Sequence, residues 1–103
     1  MVTMAFLSEI RQRLRIVDNE FDSELKSLIE AGRAELRLIG VRRSCANDEQ
    51  DALVTEAIVT YVKSEFGLGL DVKEKEEYRA AFEMKRQKLA LSSDYLERKR
   101  GIG

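Results

Sequence analysis

Leu53-Val54-Thr55-Glu56-Ala57-Ile58-Val59-Thr60-Tyr61-Val62-Lys63-Ser64-Glu65-Phe66-Gly67 is the stretch on which the fold turns. Leu53, Val54, Ala57, Ile58, Tyr61, Val62 and Phe66 recur at helical spacing, so they form one wide apolar stripe on an α-helix. Gly67 and Gly69 stop it. A second, charged helix is expected from about Asp71 to Leu91, with Tyr78, Phe82, Lys85 and Leu89 on one face. Its opening, Lys73-Glu74-Lys75-Glu76-Glu77, reads as a solvated turn of mixed charge. This helix has too few apolar positions to cover the first, which leaves greasy surface for a partner.

Working upstream, Phe6, Ile10 and Leu14 recur every fourth residue and predict a short helix from about Ala5 to Leu14. Phe21, Leu25, Leu28, Ile29, Gly32, Leu36 and Ile39 form a continuous stripe on a longer helix, from about Glu20 to Ile39. Gly32 falls inside that stripe, which predicts close approach of a neighbouring helix, and Gly40 supplies the glycine stop. Asp18 or Asn19 is expected to cap this helix. Asn47 or Asp48 should cap the third, with Glu49 and Asp51 complementing its dipole. Val41 to Asn47 reads as a polar connection.

The fold class that follows is all-α: a small four-helix bundle-like domain over residues 1–95 and a flexible basic C-terminal tail over 96–103. The expected core is Leu25, Leu28, Ile29, Leu36, Leu53, Ala57, Ile58, Tyr61, Val62, Phe66, Tyr78, Phe82 and Leu89.

Composition agrees with helices. Charged residues make up 36% of the 103 positions, against roughly 25% in average proteins, and proline is absent. Net charge is −1, unlike the strongly basic balance of a general nucleic-acid binder. The charge is uneven, with a net acidic third helix and a net basic fourth. The single cysteine, Cys45, excludes an internal disulfide and fits a reducing compartment. No apolar run is long enough to span a bilayer, and no signal-peptide pattern opens the chain, so cytoplasmic synthesis is the expectation.

Few constellations point to chemistry. Histidine is absent, which removes the commonest general base and metal ligand. Cys45 lies beside Arg42 and Arg43, which favour a thiolate, but it lacks a candidate base and reads as an incidental loop thiol. Asp18 with Asp22, and Glu20 with Glu24, suit the start of a helix better than a metal. Gly67-Leu68-Gly69 lacks the strand and third glycine of a phosphate loop. No catalytic residue, cofactor or metal is expected. The alternative is a small helical DNA-binding regulatory module in which Arg42 and Arg43 touch phosphate. Its third helix, apolar and acidic, is unlike a recognition helix.

Four pieces in order resemble the small head–tail connector (adaptor) proteins of tailed bacteriophages and prophages. They are the N-terminal turn ending Leu14-Arg15-Ile16, Leu25-Lys26-Ser27-Leu28-Ile29-Glu30-Ala31-Gly32, Ala57-Ile58-Val59-Thr60-Tyr61-Val62-Lys63 with Phe66-Gly67, and Lys88-Leu89-Ala90-Leu91-Ser92-Ser93-Asp94-Tyr95. One departure is Gly32, where such proteins often carry alanine. The resemblance implies a non-enzymatic subunit, made in the host cytoplasm and placed at the head–tail interface of the virion. It implies a ring of copies, dodecameric in the usual form, docked beneath the portal protein and offering a surface to a stopper or tail-completion protein. Genomic DNA would pass through without sequence-specific binding, and no membrane is involved. By position, the portal contact would fall on Ser92, Ser93, Asp94 and Tyr95, with Tyr95 the aromatic anchor, and on Arg98, Lys99 and Arg100.

Overall fold

A computed structural model describes residues 2–66 and 69–96. Its helices run in the order α1 (Met4–Arg13), α2 (Asp22–Leu38), α3 (Arg43–Ala46), α4 (Ala52–Phe66) and α5 (Val72–Ala90). The protein is all-α, as the periodicities predict. Among the described residues the only β pairing is one isolated antiparallel bridge, Val41 with Leu96.

Local chemistry sets the helix ends. Thr3 caps α1, its hydroxyl accepting from the Phe6 N–H at 3.1 Å. Asp71 and Glu74 form a reciprocal capping box at the start of α5. Two expected caps are not made. Asp18 accepts from the Glu20 N–H in a local turn, and α2 begins at Asp22 behind Phe21, whose side chain cannot cap. At α4 the cap is Asp51, whose carboxylate accepts from the Val54 N–H at 3.0 Å. Asn47 and Asp48 instead follow the extra turn α3, with Asn47 at its C-terminal cap, so the connection from Val41 to Asn47 is partly helical, with Val41 and Ala46 buried.

The helix α2 ends in a Schellman motif: Gly40 donates to Arg37 O, Val41 donates to Leu36 O, and Gly40 has φ of 99°. The end of α1 repeats this pattern, with Arg15 donating to Gln12 O and Ile16 to Arg11 O. There the left-handed position is filled by Arg15, at φ of 61°.

The stripe-bearing helix α4 is the centre of the molecule. Val54, Ala57, Ile58, Val59 and Val62 are buried, as are Thr55, Thr60 and Ser64. Thr60 and Ser64 stay satisfied by donating their hydroxyls to Glu56 O and Tyr61 O. The partner of α4 on one side is α5, antiparallel: Tyr61 meets Phe82 edge-on at 5.0 Å, and Arg79 pairs with Glu65. Across α4 lies α2, also antiparallel, with Phe21 against Phe66 at 5.3 Å. A Cβ on Gly32 would come within 3.1 Å of both Ile58 Cδ1 and Tyr61 Cδ2. The close approach predicted from Gly32 is therefore the α2–α4 crossing. The helix α1 lays Phe6, Leu7 and Ile10 into the same core.

Of the expected core, Leu25, Ile29, Leu36, Ala57, Ile58, Val62, Phe82 and Leu89 are buried, and Leu28, Tyr61 and Phe66 pack half-buried against them. Two positions differ. Leu53 is 61% exposed while Val54 in the same first turn is buried; Leu53 lies on the side of α4 that borders an open cleft with Lys85, Leu89 and Tyr95. Tyr78 is half-buried and carries the Lys63 ammonium over its ring at 5.3 Å. As expected, α5 covers only part of the α4 stripe, but the remainder is covered within the chain instead of being left for a partner. Helices α1, α2 and α5 together enclose it, and only Leu53 faces out.

Within the α2 stripe the pattern missed a charge. Arg33 is 1% exposed. Its Nη2 reaches Glu49 Oε2 at 2.9 Å and its guanidinium sits 5.5 Å from the centre of the Phe6 ring. Glu49 in turn accepts from both the N–H and the hydroxyl of Thr3. This cluster ties the start of α1 to the segment before α4. Glu49 thus serves as the partly buried pairing partner of Arg33.

Candidate docking surface at the C-terminal segment

After α5 the chain turns back as a strap, Leu91 to Leu96, laid against the α2–α4 connection. Tyr95 donates its N–H to Ser92 O at 3.1 Å, and the Arg42 N–H donates to Tyr95 O at 2.7 Å. The Asp94 carbonyl accepts from the Arg42 guanidinium and, at 3.8 Å, from the Cys45 thiol. Cys45 and Arg42, unremarkable in sequence, hold the strap in place. Leu96 completes it by pairing with Val41.

Tyr95 is the pivot. Its hydroxyl donates to Asp51 Oδ2 at 2.9 Å, while the other oxygen of that carboxylate caps α4. The hydrogen bond to Asp51, with burial and the nearby acidic charges, raises the Tyr95 phenol above its ordinary value. One carboxylate therefore fixes both the start of the central helix and the end of the strap.

Between strap, α4 and α5 lies a cleft of about 200 Å³, with Leu53, Leu89 and Tyr95 as apolar walls and Glu56, Lys85 and Lys88 at its edge. Exposed Leu53 borders it, and Leu91, which follows α5, is 86% exposed. Among the described residues, neither Lys85 nor Lys88 makes an ion pair. Apolar walls with uncompensated ammonium groups suit a protein partner that is apolar and acidic.

The structure brings together four of the residues singled out from sequence. Ser93 and Asp94 are exposed, and Ser92 and Tyr95 are half-buried. Arg98, Lys99 and Arg100 lie outside the described residues. Sequence reasoning missed Leu53, Lys85 and Lys88 as surface groups here. The available signal was Lys85 and Leu89 sharing a helical face, read as core when its edge is a cleft. Among the described residues, no group of three or more His, Cys, Asp or Glu is arranged to hold a metal ion. No helix among the described residues is long and apolar enough to cross a membrane.

Residues 6–96 match the sequence pattern of a family described as Phage connector protein. The match takes in every helix but the first two residues of α1, and ends with the strap at Leu96. Searches of curated proteins and of solved structures each return no match.

Proposed function

The chain belongs to the phage connector protein family, a structural family of the virion's head–tail junction, and from that membership we propose a specific role in assembly. It is a non-enzymatic adaptor subunit, made in the host cytoplasm, that docks as a ring beneath the portal. The ring extends the DNA conduit and presents a surface to the stopper or tail-completion protein. The observation that carries this reading is the family match across nearly the whole helical domain.

The portal contact is assigned to the C-terminal segment: Ser92, Ser93, Asp94 and Tyr95 on the strap, continuing to Arg98, Lys99 and Arg100. Support comes from the cleft beside the strap and from exposed Leu53 and Leu91, an apolar patch with lysines at its rim. A ring needs two different faces of one subunit to meet around a closed rotation. The net acidic segment leading into α4 and the net basic end of α5 do not supply that pair of faces, because antiparallel pairing sets them side by side at one cleft. Near-neutral net charge suits a conduit, since many phosphate contacts would retard passing DNA. With α4 enclosed by its neighbours, the central helix is not available to a DNA groove, so the regulatory alternative gains no support.

The test is co-sedimentation with the cognate portal oligomer. The full chain should pellet with the portal, and a chain truncated after Leu96 should remain in the supernatant with unchanged helical circular dichroism. Equal pelleting of the truncated chain would remove the tail from the contact.

A further inference from the structure

The two Schellman motifs differ in one respect that local sterics do not favour. The left-handed position after α2 is Gly40, the ordinary occupant, whereas the same position after α1 is Arg15. A side chain there is strained, and such strain often marks a functional position. Arg15 is exposed and makes no ion pair among the described residues.

Beside it is a recess of about 220 Å³, at the end of the molecule away from the C-terminal strap. Leu14, Phe66, Leu70 and Tyr78 form its apolar walls, and Arg15 and Lys63 stand at its rim. Lys63 rests over the Tyr78 ring and has no carboxylate partner among the described residues. Arg13, which also lines the recess, is already compensated by Glu56 and Glu9.

We infer that this recess is a docking pocket for an acidic peptide segment of a partner protein, one apolar side chain entering it while flanking carboxylates meet Arg15 and Lys63. Charge complementarity selects an anionic ligand, since two cations at one mouth have no carboxylate partner among the described residues. The aromatic and aliphatic walls select a peptide over nucleic acid, because phosphate contacts use cations alone and leave an apolar recess unfilled. Arg in place of Gly at the left-handed position holds the guanidinium at the rim, where carboxylate can be met bidentately. The pocket is separate from the portal surface proposed above, and the inference does not rest on that assignment.

The test is a nuclear magnetic resonance titration of the isotope-labelled full chain with an acetylated, amidated Glu-Leu-Asp-Leu-Glu peptide. Shifts are expected at Leu14, Arg15, Lys63, Phe66, Leu70 and Tyr78. The Gln-Leu-Asn-Leu-Gln and Glu-Ser-Asp-Ser-Glu analogues should each bind about tenfold more weakly, one lost charge-assisted contact or one lost apolar side chain being enough for that. Arg15→Gly should weaken the acidic peptide by a similar factor while raising the melting temperature, because glycine relieves the backbone. That opposite movement separates loss of the pocket from loss of the fold. Equal binding of the uncharged peptide, undiminished binding by Arg15→Gly, a short DNA duplex that binds the same residues more tightly, or no shift at these positions would each overturn the proposal.

Discussion

At the scale of single residues, buried Arg33 is paired with partly exposed Glu49, which also accepts two hydrogen bonds from exposed Thr3. Arg33→Ala leaves Glu49 half-enclosed without its cation and opens a hole beside Phe6. Breaking such a pair by removing one partner should cost about 3 kcal/mol in chemical denaturation. Burial pushes the Glu49 carboxyl up, but hydrogen bonds from Thr3 and Arg33, with the Arg33 charge, outweigh it and hold the group below its usual value. A carboxyl lowered by folding adds stability above its unfolded pKa, and that stability fades as pH falls through the folded value. Glu49→Gln should therefore flatten the acid limb of a stability-against-pH curve and leave the neutral-to-alkaline part parallel to the parent. At Gly32, alanine gains up to about 1 kcal/mol in helix propensity but needs Ile58 and Tyr61 to shift by a few tenths of an ångström. Ile58 presents a terminal methyl that can give way, but the Tyr61 ring atoms at 3.1 and 3.4 Å must move as a unit. The two terms should leave Gly32→Ala within about 1 kcal/mol of the parent, whereas Gly32→Val should lose about 2 kcal/mol or more.

At the scale of elements, Asp51 joins two structures that sequence treats as unrelated. Asp51→Ala removes the cap of α4 and the acceptor of the Tyr95 hydroxyl together. The expected loss is about 2 kcal/mol, roughly 1 from the cap and 1 from the hydrogen bond. Tyr95→Phe should lose only the second part. Because folding raises the Tyr95 phenol, its contribution is full below the unfolded pKa and disappears as pH rises through the folded value. The protection factor of the Arg42 amide, after division by the intrinsic base-catalysed rate, reports release of the strap and should thus fall in alkali in the parent and stay level in Tyr95→Phe.

The elements also show what could be read in advance. The stripes of α2 and α4, the stops at Gly40 and near Gly67, and the Gly32 crossing follow from spacing, because each depends on neighbours within one or two helical turns. The Asp51 cap was misplaced by three or four residues, since three acidic residues precede α4 and only the α3 turn selects among them. Arg33 escaped notice because a charge in an apolar stripe looks like an edge until Phe6 and Glu49 arrive from distant segments. Leu53 was assigned to the core because its phase is right, yet it stands at the edge of the stripe where an open cleft, and not a packed helix, lies beside it. The strap depends on Arg42 and Cys45, 52 and 49 residues before Asp94, and no local pattern encodes that.

At the scale of the whole molecule, the subunit encloses its own central helix, so association does not have to complete the core. The surfaces left for partners are small and lie at opposite ends: the cleft beside the strap, and the recess at the end of α1. A subunit of this kind should fold alone and assemble through peripheral contacts, with the portal acting as template. The central claim is that it forms a ring on the portal, and electron microscopy of portal mixed with excess purified chain tests it most directly. The account predicts an added annular layer on one end of the portal, absent when the chain stops at Leu96. A portal left bare at saturating concentrations of the full chain would contradict it.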